Sequence, residues 1–263
     1  MAKIGKIMES NKIAILYTTF LRDELELQTL KSIIDNWQDN YVLLIGDQGI
    51  KERDYKSSFF SIQSKLKDKE IHRYILPFDC GLSYARNYLV QKAYKMGIDY
   101  CFLTADSIKF TERYDFAPII RFLEEKEERG IVGFELLNRQ YWVYNMTLVP
   151  NMYFHLVISK QKPILYNNIK FQSCDVITNF FFAKTKCLID NKWDNELKLA
   201  EHEDFFWRLK QTKYKVFWTN YIKAQYINQK NEEYNKHRKR LYHEFKQKLQ
   251  QKYNISGWLQ YER

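Results

Sequence analysis

Glycine and proline are scarce, with 8 and 4 among 263 residues. That excludes a collagen-like, loop-rich or low-complexity chain. Cysteine is sparse too. The four residues Cys80, Cys101, Cys174 and Cys187 show no CxxC spacing. A zinc knuckle and a disulfide framework are therefore not expected, and a reducing, cytoplasmic setting fits. There is no apolar run of the roughly 18 residues a membrane-spanning helix needs. The opening residues MAKIGKIMES contain no apolar stretch of the secretory type. No internal repeat and no Pro/Gly/Ser linker divides the chain.

Hydrophobic residues make up 45% and charged residues 28%, a globular composition. Aromatics reach 17%, with 20 Tyr and 18 Phe, which favours strands and a site that grips flat or ring-shaped ligands. The net charge is +10. It suits a nucleic acid, an anionic membrane surface or a phosphorylated small molecule. The excess is concentrated between Lys230 and Lys252, where eight Lys/Arg face three Glu. No nucleic-acid recognition motif accompanies it, so nucleic acid is not an expected partner.

Strands are expected at Ile13 to Thr19, Tyr41 to Ile45, Ile71 to Leu76 and Asp99 to Leu103. Between them, Leu27, Leu30, Ile34 and Trp37 mark the inner stripe of a helix from Arg22 to Trp37. A second helix is expected to be capped by Ser83, lined by Ala85, Leu89, Ala93 and Met96, and closed by Gly97. This alternation predicts an α/β fold with a mostly parallel sheet covered on both faces. Such sheets bind ligands beyond the carboxyl ends of their strands. The residues there are Thr18-Thr19, Asp47, Pro77 to Asp79, and Thr104-Ala105-Asp106.

The pattern then changes. A helix is expected from Phe116 to Arg129, a strand from Ile131 to Leu136, and antiparallel strands within Tyr141 to Ile158. A strand at Thr178 to Ala183, a helix at Glu201 to Thr212 and a strand at Lys215 to Trp218 follow, and the basic tail reads as a long helix. The expected division is one domain over residues 1–229 and a basic helical extension over 230–263.

Several side chains at these places suit particular chemistry. An uncovered Asp47 at the sheet edge could accept an N–H from a ligand, or be an ordinary turn Asp. Arg86 lies in a first helical turn, where the macrodipole disfavours a cation, so it could meet an anionic ligand or form a surface salt bridge. In Glu201-His202-Glu203-Asp204, one carboxylate could serve as a general base, or Asp204 could simply pair with Arg208. Tyr141, Trp142, Tyr144 and Tyr153 could form a stacking platform for a sugar, or an aromatic sheet core. His237, within YNKHRKR, could close over the site or lie on a helix surface.

Four segments in order, ILYTTFLR, LLIGDQG, PFDCGLSYARN with DYCFLTADSIKF, and KWDNELKLAEHEDFFWRLKQTKYKVFW, resemble the inverting glycosyltransferases of the GT-A fold. The likeness is to family-2-like enzymes, and NFFFAKT is similar to a run in β-1,4-N-acetylgalactosaminyltransferases. The resemblance implies a GT-A fold with an antiparallel acceptor-side portion. It implies transfer of a hexose or N-acetylhexosamine from a UDP-sugar to a hydroxyl of a glycan or lipid-linked acceptor, with inversion.

By the same resemblance, Thr18, Thr19, Arg22, Asp47, Ser83, Arg86, Thr104, Ala105 and Asp106 would hold the nucleotide sugar. Tyr141, Trp142 and Tyr144 would hold the acceptor. Asp204, with Glu203 and Glu201 as alternatives, would be the base. Asp106 would ligate Mn²⁺ or Mg²⁺. The chain departs from the family's Asp-x-Asp motif, because Thr104 stands at the first acidic position. In a register shifted by one residue, Ala105 and Ser107 take the acidic positions. The stretch TNYIKAQYIN also lacks the His that many relatives carry there. Lys236, Arg238, Lys239 and Arg240 could neutralise a diphosphate instead, or hold the protein to the inner face of an anionic membrane. The alternative reading is a binding or scaffold protein with a decayed site.

Overall fold

The computed structural model describes residues 12–37, 40–49, 70–139, 143–228 and 231–262. The apolar runs of the first half form β1 (Ile13–Thr19), β2 (Tyr41–Asp47), β3 (Glu70–Ile75) and β4 (Tyr100–Ala105). They lie parallel in the order β3-β2-β1-β4. Side chains alternate across a strand, so β1 serves two cores at once. Ala14 and Leu16 pack with Leu89, Val90 and Ala93 of α2 (Leu82–Lys95). Ile13, Ile15 and Tyr17 pack with Leu30 and Ile33 of α1 (Asp23–Asn36).

Beyond β4 the sheet becomes mixed. β12 (Phe181–Lys184) runs antiparallel between β4 and β6 (Arg129–Leu137). β13 (Lys215–Tyr226) lies parallel to β6, with a register shift between Trp218 and Lys223. β10 (Ile169–Cys174) and β9 (Ile164–Tyr166) complete that edge, and β5 (Ile108–Phe110) pairs with the far end of β13. The antiparallel portion expected from Tyr141 to Ile158 is present as β7 (Val143–Val149) and β8 (Tyr153–Ile158). Together with β11 (Val176–Ile177) and β14 (Leu259–Glu262) they make a second sheet of order β11-β7-β8-β14.

The remaining helices are α3 (Ala117–Glu124), α4 (Thr185–Asp190), α5 (Glu201–Lys210) and α6 (Glu232–Tyr253). α6 buries Leu241, Phe245 and Leu249 in the same core as Phe154, Leu156 and Phe205. Residues 231–262 thus hold a strand as well as a helix, and β14 extends the second sheet parallel to β8. Among the described residues no helix is long and apolar enough to cross a membrane.

Three local expectations need correction. Of the stripe expected for α1, Leu30 and Trp37 are buried and Ile34 packs against the core, but Leu27 is exposed and the face is completed by Leu25, Thr29 and Ile33. α3 ends at Glu124, and residues 125–128 form a turn into β6. Ser83 does not cap α2. The N-cap is Gly81, at φ +89°, where an added Cβ would lie 2.7 Å from Cγ of Lys198. Only glycine fits both the backbone angle and the close approach.

Candidate active site

The polar residues expected at the carboxyl edge of the parallel sheet are almost all buried, and the two carboxylates among them are paired within the protein. Thr18, Thr19, Asp47, Thr104 and Asp106 are each at most 5% exposed. A buried charge needs a partner, and each carboxylate here has found an arginine. Asp106, immediately after β4, is fully buried. Its Oδ2 accepts from Thr19 Oγ1 at 3.2 Å and Arg22 Nε at 3.1 Å, and its Oδ1 from Arg22 Nη2. Burial is the largest influence on this carboxyl and raises its pKa, against the opposing effects of Arg22 and Thr19. Arg22 is held from its other side by the ring of Tyr234 on α6, 4.1 Å from the guanidinium carbon. Asn231, the N-cap of α6, donates to the Leu21 carbonyl at 2.8 Å. His237 lies edge-on to Phe20 and Phe78, with centroids 5.6 and 5.5 Å away. The first turns of α6 therefore sit against the loop that follows β1.

Asp47, at the end of β2, is not the uncovered carboxylate expected from sequence. Its Oδ1 accepts from the Gly49 N–H at 2.8 Å, and its Oδ2 from Arg73 on β3. Arg73 also binds Glu26 of α1 at 2.5 Å. Burial pushes the Glu26 carboxyl up to about 7 despite that arginine. Ala105, the last residue of β4, is partly exposed between Thr104 and Asp106. The Thr104 hydroxyl is buried with no hydrogen-bond partner among the described residues.

The α2 residues face a different way. Ser83 donates to the Leu197 carbonyl at 2.6 Å, and Asn87 donates to that of Trp193 at 2.8 Å. Arg86 binds Glu201 at 2.8 Å, with side chains 5% and 6% exposed. With the N-cap at Gly81, Arg86 lies in the second turn of α2 and not in the first as expected, and its charge is compensated by a protein carboxylate.

α5 separates its three acidic residues. A helix turns about 100° per residue, so positions 201, 203 and 204 point in three directions. Glu201 faces α2 and Arg86. Asp204 is fully buried and faces the end of α6. It accepts from Arg208 Nε at 2.9 Å, Tyr253 Oη at 2.7 Å and Lys252 Nζ at 2.7 Å. Glu203 faces a cavity of about 210 Å³, lined also by Arg139, Thr178, Asn179, Ala200, His202 and Trp258. Its carboxyl is pushed up to about 8, first by burial and then by the charges of Glu201 and Asp204, against a hydrogen bond from its own backbone N–H.

The other walls of the cavity suit a polar guest. His202 Nδ1 lies 3.0 Å from Asn179 Oδ1, and burial lowers its pKa to about 3, so it is neutral at physiological pH. The Thr178 hydroxyl is buried with no hydrogen-bond partner among the described residues. Ala200 holds a left-handed φ of 60° at the N-cap of α5, a strained conformation for a residue with a Cβ.

The sequence pattern does not single out Arg139, Thr178, Asn179 and Trp258 as site residues, although Asn179 opens the NFFFAKT run, because they converge from three distant segments. The acceptor platform expected from aromatics is not supported at Tyr144. That ring is 3% exposed, packed in the core and edge-on to Tyr261. Tyr141 and Trp142 lie outside the described residues.

These neighbours make a direct stability prediction for Asp204. Replacing it with Asn removes the charge shared by three donors, and unfolding in urea is expected to show a loss of about 1–3 kcal/mol. A variant as stable as the parent would show that the three contacts contribute little.

No family model and no curated protein matches the chain. Solved structures do. GalNAc-T7 with UDP, GalNAc and Mn²⁺ superposes with a TM-score of 0.66 at 10% identity, over 84% of this chain and 45% of that one. TarS 1–349 of S. aureus in complex with UDP-GlcNAc gives 0.56 at 13% identity, over 84% and 60%. The same TarS fragment in complex with UDP gives 0.53 at 13% identity, over 80% and 60%.

This is the GT-A fold. The chain spans at most 60% of the length of these neighbours. The resemblance read from the motifs and the likeness in three dimensions agree on the architecture. Both also point to a divalent cation, with Mn²⁺ bound in GalNAc-T7, and there this chain's own residues depart. A divalent cation that bridges a diphosphate takes several oxygen ligands from carboxylates and water. Here Asp106 is the one carboxylate of its motif, both its oxygens are taken, and Thr104 is neutral. No cluster of three His, Cys, Asp or Glu with metal-binding geometry occurs among the described residues. The donor set does not fit Mn²⁺ or Mg²⁺.

Proposed function

We propose that this protein is a glycosyltransferase that moves a hexose or N-acetylhexosamine from a UDP-sugar to a hydroxyl of a glycan or lipid-linked acceptor, with inversion. One observation carries the reading. Of the three carboxylates at the start of α5, Glu203 is the one that lines a cavity among the described residues, with room for a reacting hydroxyl.

The chemistry follows from that placement. An acceptor oxygen in the cavity forms a bond to the anomeric carbon from the side opposite the diphosphate. The bond from that carbon to the diphosphate oxygen breaks, and its electron pair leaves with the diphosphate. The hydroxyl proton passes to the Glu203 carboxylate. A base with a pKa near the working pH suits this step, since it is both available and driven to accept. The neutral His202, paired with Asn179, shapes the cavity wall next to it. Trp258 lines the same cavity, and its buried indole N–H has no partner among the described residues. UDP-GlcNAc and GalNAc bound to fold neighbours support an N-acetylhexosamine as the sugar.

The second reading, a binding protein with a decayed site, draws on the paired state of Asp47 and Asp106. A thermal-shift series with UDP, UDP-GlcNAc and other nucleotide sugars, followed by a donor-hydrolysis assay, separates the two. A UDP-sugar at about 100 times its Kd is expected to stabilise the protein by about 2.7 kcal/mol, and slow hydrolysis of that donor should follow. Stabilisation without any turnover would favour the binding protein. The absence of any nucleotide effect would remove both.

A further inference from the structure

Both oxygens of Asp106 are taken, and the Arg22 that takes them also lines a cavity of about 220 Å³ with Asn231, Asp23, Glu24 and Glu233. Arg22 spends Nε and Nη2 on Asp106, and its remaining nitrogen, Nη1, has no protein partner among the described residues. Its side chain is 15% exposed, against none for Asp106. It is fixed from two sides, by the carboxylate of Asp106 and by the ring of Tyr234. Thr29 Oγ1 binds the Asp106 carbonyl at 2.9 Å, so the backbone of the motif is also pinned to α1. For Asp106 to ligate a cation, Arg22 would have to leave both neighbours and a buried ion pair would have to break, which is strongly unfavourable.

On the basis of the glycosyltransferase reading, we infer that the donor diphosphate is bound here without a divalent cation, by the guanidinium of Arg22, which Asp106 holds in place. A guanidinium suits this task. It keeps its charge at all physiological pH values, and its fork of N–H donors matches phosphate oxygens while one edge remains on a carboxylate. Asp106 is then a positioning residue for Arg22.

Isothermal titration of the full chain with UDP and with uridine, in EDTA and in Mn²⁺, tests the inference. For the parent protein, the UDP Kd is expected to agree within about threefold between the two media, since a tenfold change would correspond to a further 1.4 kcal/mol of metal-linked binding. Arg22→Lys keeps a cation beside Asp106 and so preserves the fold, which circular dichroism checks. It is expected to weaken UDP about tenfold in both media and to leave uridine unchanged, because only the phosphates lose a contact. Asp106→Asn is expected to weaken UDP by one common factor in both media, and again to spare uridine.

UDP binding that Mn²⁺ tightens about tenfold or more, with the gain lost in Asp106→Asn, would overturn the inference and leave the glycosyltransferase reading standing. An Arg22→Lys variant that binds UDP as well as the parent would overturn the role of Arg22. If UDP binds in neither medium, the glycosyltransferase reading falls, and this inference falls with it.

Discussion

Glu203→Gln is expected to lower kcat by roughly 10²–10⁴ while leaving UDP affinity near that of the parent. Glutamine keeps the shape of the side chain and cannot take the acceptor proton. The same substitution is expected to stabilise the protein at neutral and alkaline pH. The Glu203 carboxyl is raised from its ordinary 4.5 to about 8 by burial and by its acidic neighbours. Between those two values the folded state keeps a proton that the unfolded state has released. The contribution of this group to stability is therefore greatest below about pH 4.5 and declines as pH rises towards 8. Glutamine does not titrate, so the variant should exceed the parent by roughly 1–4 kcal/mol near pH 8, with little difference at acid pH. Activity has the opposite sign. The base must be ionised to act, so kcat/KM of the parent should climb with pH, reach half its plateau near pH 8 and level off above it. Urea unfolding at several pH values and a pH–rate profile provide the two readouts. An active Glu203→Gln enzyme would return the base to another residue of α5.

Arg86→Ala should act on stability and not on ligand. Arg86 and Glu201 are each nearly buried and bound to each other at 2.8 Å. Removing the cation leaves a carboxylate without its partner between α2 and α5, at a cost of about 3–5 kcal/mol. The double variant Arg86→Met with Glu201→Leu removes both charges and keeps most of the volume. It is expected to recover much of that loss, because an apolar pair of similar size need not be desolvated as ions. Chemical denaturation of the single and double variants measures the difference. If Arg86→Ala is as stable as the parent and instead loses nucleotide binding, the arginine serves a ligand and the pair with Glu201 is incidental.

Much of the architecture was legible in the sequence because it is encoded locally. Continuous apolar runs such as IAILYTT and YVLLIGD become β1 and β2, since a strand covered on both faces has no polar side to display. Ala85, Leu89 and Ala93 recur at helical spacing and form the buried face of α2. The location of the acidic helix start was equally plain. Which acidic residue faces the cavity was not, because that depends on the rotation of α5 against α2 and α6. The same limit explains α1, where a stripe through Leu27 was expected and the helix buries Leu25 and Ile33 instead. Tyr144 failed as a platform for a related reason. Alternation along β7 shows which residues share a face, and only the packing of the second sheet decides which face is inside.

The sequence by itself determined the strand–helix alternation of the first 110 residues, the mixed α/β class, an antiparallel portion within 141–158, and the positions where polar side chains meet the carboxyl ends of the strands, but not β5, β9, β10, β11, α4 or β14. Tertiary structure decided what those side chains do. Arg22 pairs with Asp106 across 84 positions, Arg86 with Glu201 across 115, and Tyr253 with Asp204 across 49. Hydrophobic periodicity is a property of neighbours along the chain, so it can be read from the chain. The partner of a buried charge is chosen by which element lies within about 3 Å of it once the core has closed, and no local pattern carries that distance.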